Sequence, residues 1–335
     1  MVKRILVGIV GLAAVLGLAG GAADALADVI LKASHQWPGG TGDLRDEMVQ
    51  MIARDVEDAD VGLTIRVYPG EALFKARDQW PAMQRGRLDI TALPLDYMSG
   101  RHPQFSATLM PGLVKDQAHA KRLDASPFMA EIKRIIEAQG IMVLADAWIA
   151  GGFVSKKNCI RWPEDIKGQV TRAAGPAFER MLAAAGASIA SMPSSEIYTA
   201  MQTGVLDAAN TSSQSFVSYR IYEQVKCFTA PGDQALWFMY EPILMSTASW
   251  EKLDAKQQQA LRAAAKKAEE FFAAKAHDEE LQAEQVFRDA GVEVVHLTSE
   301  QAAAWRALAQ ESSYKVFAEE VEGGQALIES ALAVD

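Results

Sequence analysis

Residues 159–222 read CIRWPEDIKGQVTRAAGPAFERMLAAAGASIASMPSSEIYTAMQTGVLDAANTSSQSFVSYRIY, and the punctuation of this stretch decides the fold. Two strand-then-helix units follow one another. In the first, a short strand (169–171) delivers Arg172, and Gly175-Pro176 then start a helix that runs to about Ala185 and stops at Gly186. The arginine therefore falls on the rim of a sheet, beyond the carboxyl end of its strand, where ligands bind in open α/β sheets.

The second unit has a strand at 189–192, a helix at about 194–202 and Gly204 as its stop. After Val205-Leu206-Asp207 comes the polar run Asn210-Thr211-Ser212-Ser213, leading into a helix over about 214–224. Hydroxyls and free backbone N–H groups at a helix start favour an anion. Arg172 and this hydroxyl cluster are thus placed to face one carboxylate from two sides, the arginine as a planar bidentate fork. By themselves the same residues also read as a surface ion-pair partner and a plain helix cap.

The 335-residue chain is long enough for two lobes, and half of it is apolar. Its amino end reads as a leader rather than fold. Lys3 and Arg4 precede an apolar run over 5–18, and Ala25-Leu26-Ala27 forms a cleavage site before Asp28, the pattern of a cleavable secretory signal over residues 1–27. The expected location is the periplasm. Without the leader the chain keeps 31 basic and 42 acidic residues, a net charge of about −11. That balance argues against nucleic acid as a partner. It does not argue against a small anion, because salt screens a distributed surface field within roughly 8 Å while an arginine in a cleft acts locally. Cys159 and Cys227 flank the central stretch, so a bridge between them would close it; two buried thiols are the alternative. They do not make a zinc site, and no metal or cofactor is expected.

Ahead of the central stretch, residues 28–34 read as a buried strand, 63–67 as an alternating strand and 88–93 as a third. Between them lie a helix from about 41–43, with Leu44, Met48, Met51, Ile52 and Val56 on one face, and a helix over roughly 75–85 interrupted at Pro81. This β-α-β-α-β order implies a parallel sheet with helices on both faces. Catalytic motifs are missing: there is no G-x-S-x-G, no P-loop, no G-x-G-x-x-G and no H-E-x-x-H.

The run PEDIKG, the arginine after it, and MPSSEIYTAMQTGVLDA closely resemble the solute-binding subunits of tripartite ATP-independent periplasmic (TRAP) transporters, the DctP family. The segments SHQWP, VYPGEALF and AMQRGRLDIT resemble the first lobe of the same proteins, so the resemblance covers nearly all of the mature chain. It implies a two-lobed periplasmic binding protein of α/β class, type II-like, with strands and a long helix crossing between lobes. It implies that Arg172 clamps the ligand's carboxylate, that the loop after the first strand (His35, Gln36, Trp37) reaches the cleft, and that Trp148 lines the pocket. Many relatives carry a second arginine just after a Gly-Phe; this chain has Val154 there.

On this reading residues 28–149 and 237–275 form lobe I, and 150–236 and 276–335 form lobe II, with the ligand cleft between them. Gly151-Gly152 are expected to let backbone and ligand approach closely. Residues 236–245 make a return crossing in which Trp237, Met239 and Glu241 share one face and Phe238 and Tyr240 the other. Which face meets the cleft stays open. A helix over about 255–290, roughly 50 Å at 1.5 Å per residue, is too long for one small lobe. The expected ligand set is Arg172, Asn210, Thr211, Ser212, Ser213, His35, Trp37, Trp148, Trp237 and Phe238, with His35, Arg77 or backbone N–H groups available for a second carboxylate. The expected function is capture of a small organic acid by lobe closure and delivery to integral-membrane TRAP permease subunits. An exported sensor module or an exported enzyme acting on a carboxylate are the alternatives.

Overall fold

The structure, a computed structural model, describes residues 29–335, and the expected leader lies outside the described residues. Two sheets divide the chain. The first joins β1 (Val29–Ser34), β2 (Leu63–Tyr68), β3 (Ile90–Ala92), β4 (Ile141–Ala145) and β11 (Ile243–Ser246) in the order β2-β1-β3-β11-β4. The second holds β5 (Trp148–Ser155), β6 (Val170–Ala173), β7 (Ser188–Ser191), β8 (Ala208–Ser212), β9 (Cys227–Ala230) and β12 (Glu293–His296) in the order β12-β9-β5-β8-β6-β7, with β10 (Trp237–Tyr240) added on β5.

Both sheets are parallel where strand and helix alternate in sequence, as expected, and antiparallel where the chain crosses. β1 runs parallel to β2 and β3, and β6 parallel to β7 and β8. β11 pairs antiparallel with β3 and β4, and β5 antiparallel with β8, β9 and β10. The crossing strands enter each sheet from the opposite end, so the sheets are mixed. β5 is buried along its whole length because it lies inside the second sheet, which is why its sequence shows no alternation.

The crossings are sharp. β4 ends at Ala145 in the first sheet and β5 begins at Trp148 in the second; β10 ends at Tyr240 in the second and β11 begins at Ile243 in the first. The return therefore passes at Glu241-Pro242, and residues 237–240 pair with the second sheet rather than joining lobe I as expected. Proline has no N–H to offer a ladder, so the change of sheet falls where a ladder hydrogen bond is unavailable anyway. At the carboxyl end, the helix Gly324–Leu332 packs on Pro127–Glu137, which precedes β4 of the first sheet, so the last residues do not belong wholly to lobe II.

The helix Ala255–Asp289 spans 35 residues and starts at a capping box in which Asp254 accepts from Lys256 and Gln257 backbone N–H groups. It packs on the helix Leu44–Asp58 and β4 at one end and on the helix Ser213–Ser218, β9 and β12 at the other. Pro81 does not interrupt its helix, Gln79–Gln84, because it sits in the first turn, where an N–H has no intrahelical partner. The helix expected over 214–224 is instead Ser213–Ser218 followed by a short 3₁₀ turn at Ile221–Gln224, divided by Arg220 in the left-handed region at φ 56°.

Cys159 and Cys227 form a disulfide, their Cα atoms 5.1 Å apart and 68 residues apart in sequence. It ties the segment ahead of β6 to β9 and closes a loop that contains β6, β7 and β8. In the chain-entropy picture a loop of that length is worth about 4 kcal/mol. Reducing the bond, or Cys159→Ser with Cys227→Ser, is expected to lower the urea-unfolding free energy by about 2–5 kcal/mol. Urea titrations with and without reductant measure this; equal midpoints would remove the disulfide from the stabilising terms.

Candidate functional site

Arg172 lies near the carboxyl end of β6 and is fully buried between the two sheets. Its guanidinium donates Nε–H to the Met192 carbonyl at 2.9 Å, Nη1–H to the Asn210 carbonyl at 2.6 Å and Nη2–H to the Tyr97 hydroxyl at 3.2 Å. Met192 follows β7 and Asn210 lies in β8, so the strands beside β6 supply two of the partners. Tyr97 comes from the short helix Leu95–Met98 beyond β3 of the first sheet. A guanidinium carries five N–H donors. These bonds leave one N–H on each terminal nitrogen, the number a bidentate contact with a carboxylate needs. Burial pushes the Arg172 pKa below the usual arginine value, and the Arg77 charge adds to this, against Tyr97 and Asp96. An anion in contact would reverse that penalty.

Buried polar atoms stand without protein partners beside this network, both side-chain atoms of Asn210, Gln36 Oε1 and Asp96 Oδ2, and others do so at Ser213 Oγ and Trp237 Nε1. Gln36 Nε2 donates to the Tyr97 hydroxyl at 3.4 Å, and Ser194 N–H donates to the same oxygen at 2.9 Å. Gln36, Tyr97, Arg172 and Asn210 are therefore contiguous, drawn from both sheets. Buried polar groups are seldom left unpaired unless a ligand, ion or water serves them. Of the expected residues, Arg172 and Asn210 are brought together directly, the latter through its backbone as well as its free side chain.

The remaining expected residues divide by location. Ser212 is the cap of the helix Ser213–Ser218, accepting from Ser215 N–H at 3.1 Å, and its hydroxyl is spent on Arg45 at 2.9 Å. Thr211 is buried in β8, and its carbonyl lies where a Cβ on Gly151 would fall, 2.0 Å away. Gly152 makes way for the Thr229 carbonyl at the same distance, so the glycine pair serves close strand approach rather than ligand approach. His35 is occupied at Nε2 by Asp46, 3.1 Å away, while its Nδ1 has no partner. Trp37 lies under the Arg45 guanidinium, 4.1 Å from ring centroid to Cζ.

Around strand β10 the side chains have different surroundings. Glu241, just past the strand, reaches Arg45, and Trp237 is buried with its indole N–H unpartnered. Phe238 lines a separate surface cavity of about 1170 Å³ together with Lys115, Glu280 and His296. Trp148 is engaged by other partners: its indole N–H donates to Asp124 at 2.7 Å and its ring lies 4.9 Å from Tyr240. Both strands have two buried faces, so hydrophobicity alone assigned neither. Arg77 bonds Ser191 Oγ at 3.0 Å from an exposed position at the cleft edge.

Sequence reasoning missed Tyr97, Asp96 and Arg45. Tyr97 and Asp96 sit in an irregular segment without periodicity. Arg45 does carry a signal, since it precedes Val49, Ile52 and Val56 at helical spacing and so falls on the buried stripe of its helix. Its five donors are all taken: Asp43 by Nε and Nη2, Glu241 and Ser212 by Nη1, and Ser215 by Nη2 as well. Burial would raise the Asp43 carboxyl, but the Arg45 charge and hydrogen bonds hold it below its ordinary value. Two buried arginines thus differ in availability, and only Arg172 has donors to spare.

Residues 34–320 match the bacterial extracellular solute-binding proteins, family 7 (DctP). The chain belongs to this family. A solute-binding protein of Albidiferax ferrireducens is 37% identical over 297 residues, covering 88% of each chain. The C4-dicarboxylate-binding periplasmic protein DctP of Rhodobacter capsulatus is 26% identical, covering 91% of each. Among solved structures, a TRAP periplasmic solute-binding protein from Rhodoferax ferrireducens with bound malonate superimposes with a TM-score of 0.86 at 37% identity, covering 90% of this chain and 96% of that one. The Bordetella pertussis receptor DctP7, crystallised with pyroglutamic acid, shares the fold with a TM-score of 0.81 at 21% identity, over 90% of this chain and 99% of that one. The two-lobed TRAP binding-protein fold accounts for the sheet pair described above.

Within this solute-binding fold the buried Asp96 carboxyl is held above its ordinary range. Burial raises its carboxyl to about 7; the Ser99 hydroxyl, bonded at 2.8 Å, pulls it down, Glu179 pushes it up, and Arg172 and Arg77 pull it down. Its Oδ2 lies against Gly175, 2.0 Å from where a Cβ would be. The folded form binds this proton more tightly than the unfolded chain, whose ordinary value is 3.8. Stability from Asp96 is therefore full below about pH 4 and lost as pH rises toward 7. Asp96→Asn should be neutral near pH 4 and stabilising at pH 8, by up to about 4 kcal/mol. Unfolding midpoints of both proteins across that range test it; parallel curves would show that Asp96 keeps its charge.

Proposed function

We propose that this solute-binding protein captures a small organic carboxylate, with the two uncommitted N–H groups of Arg172 gripping the carboxylate and the Asn210 side chain, Ser213 and Trp237 contacting the rest. The observation that carries the reading is the contrast between the arginines: Arg45 is saturated, whereas Arg172 is equally buried and still has one free N–H on each terminal nitrogen. Support comes from the 37% identical structure, which holds malonate. Tyr97 and Gln36 approach Arg172 from the first sheet, so closing the lobes buries the ligand between them and strengthens the Arg172 contact by excluding water. Export through the leader at 1–27 would place the protein in the periplasm, where it hands its ligand to TRAP permease subunits. Nothing in this mechanism alters the ligand.

The test is a thermal-shift screen of residues 28–335 against organic acids that include malonate, pyroglutamate and galacturonate, with Arg172→Ala and Arg172→Lys alongside. A ligand present at a hundredfold over its Kd should stabilise the wild type by about 2.7 kcal/mol. Arg172→Ala should lose about 2–5 kcal/mol of binding, some thirtyfold or more in Kd. Arg172→Lys keeps the charge without the fork and should fall between. A hit that survives Arg172→Ala would move the site elsewhere, and a hit consumed during incubation would make the protein an enzyme.

A further inference from the structure

The saturated arginine has a role of its own, one that rests on the lobe-closure reading. Its guanidinium meets three parts of the molecule at once. Asp43 holds it by two nitrogens, at 2.7 Å and 2.6 Å, and the Trp37 ring covers its face, both from the first lobe. Glu241, 2.8 Å away, sits where the chain returns between sheets. Ser212 and Ser215, at 2.9 Å and 3.2 Å, cap and begin the helix Ser213–Ser218 of the second lobe. The same helix adds Ser218, whose hydroxyl donates to Asp43 at 2.6 Å, and just beyond it the Tyr219 hydroxyl donates to the Gln36 carbonyl at 2.9 Å.

Positions 212, 215, 218 and 219 recur at helical spacing, so one face of this short helix is turned to the first lobe. We infer that Arg45 and Asp43 form a closure latch, a buried ion pair on the first lobe that seats the hydroxyl face of the helix Ser213–Ser218 only when the lobes are shut. Hydrogen bonds to a charged group are roughly twice as strong as neutral ones. With no N–H left over, Arg45 does not recognise the ligand; it is a positioning residue that sets how long the closed state lasts. Opening would leave the Arg45–Asp43–Glu241 group within the first lobe and the crossing, where its internal bonds persist and water replaces the serines.

The latch is tested by single-molecule energy transfer between dyes on Asp58→Cys and Val205→Cys, exposed positions on the two lobes, without ligand and with saturating malonate. Ser215→Ala with Ser218→Ala removes two inter-lobe hydrogen bonds while leaving the ion pair and Arg172 untouched. The expected result is a closed-state dwell time about thirtyfold shorter, equivalent to about 2 kcal/mol for the two bonds together, with the closing rate changed little. Arg45→Met is a harsher variant that strands two buried carboxylates, so the serine pair carries the conclusion. Exchange between two distances in the wild type with unchanged dwell times in the serine variant would overturn the latch and leave carboxylate binding intact. A single fixed distance with and without malonate would overturn the latch and lobe closure together.

Discussion

Two guanidinium groups are buried where the lobes meet, and the rest of the structure is arranged around keeping them there. A cation removed from water is costly unless its donors are met. Arg45 is met in full by carboxylates and hydroxyls from three parts of the chain. Arg172 is met only by neutral oxygens, two carbonyls and a phenol, so its charge remains uncompensated. That uncompensated charge distinguishes the surroundings of Arg172 from the saturated polar seam around Arg45.

The neutral partners also fix the orientation of the guanidinium. Two carbonyls, those of Met192 and Asn210, hold the Arg172 fork against its neighbouring strands. Tyr97 approaches from the other sheet and places a single weak acceptor beside the fork. Asp96 and Gly175 bring the two lobes to within contact distance at a second point, and there the missing side chain of the glycine is what allows the approach.

Much of this was legible in the order of residues. The strand-to-helix boundaries around Arg172 were marked by Gly175-Pro176, and the helix stops at Gly186 and Gly204 adopt the left-handed conformation that favours glycine there, φ 89° and 79°. Recognition of the wording at 163–208 supplied the two-lobe architecture that periodicity alone does not. What was not legible has identifiable physical reasons. Arg45 lies on an apolar helical stripe, yet an arginine on an amphipathic helix ordinarily faces water. Trp148 and Phe238 occupy strands buried on both sides, where alternation separates faces without saying which meets the ligand. Ser212 was read correctly as part of a polar helix start, but its hydroxyl serves a cation 167 residues away, a contact no local pattern encodes. The return between sheets was placed a few residues early, although Glu241-Pro242 marked it.

Several covalent paths join the lobes, among them the turn between β4 and β5, the turn at Glu241-Pro242, and the helix Ala255–Asp289 lying along both. Two rigid bodies joined by one flexible tether keep nearly all six of their relative degrees of freedom. Adding two short, side-by-side connections between sheets removes sliding and most twisting, and a continuous helix resists stretching along its axis. Bending near the strand turns is the relative displacement that such connections restrain least.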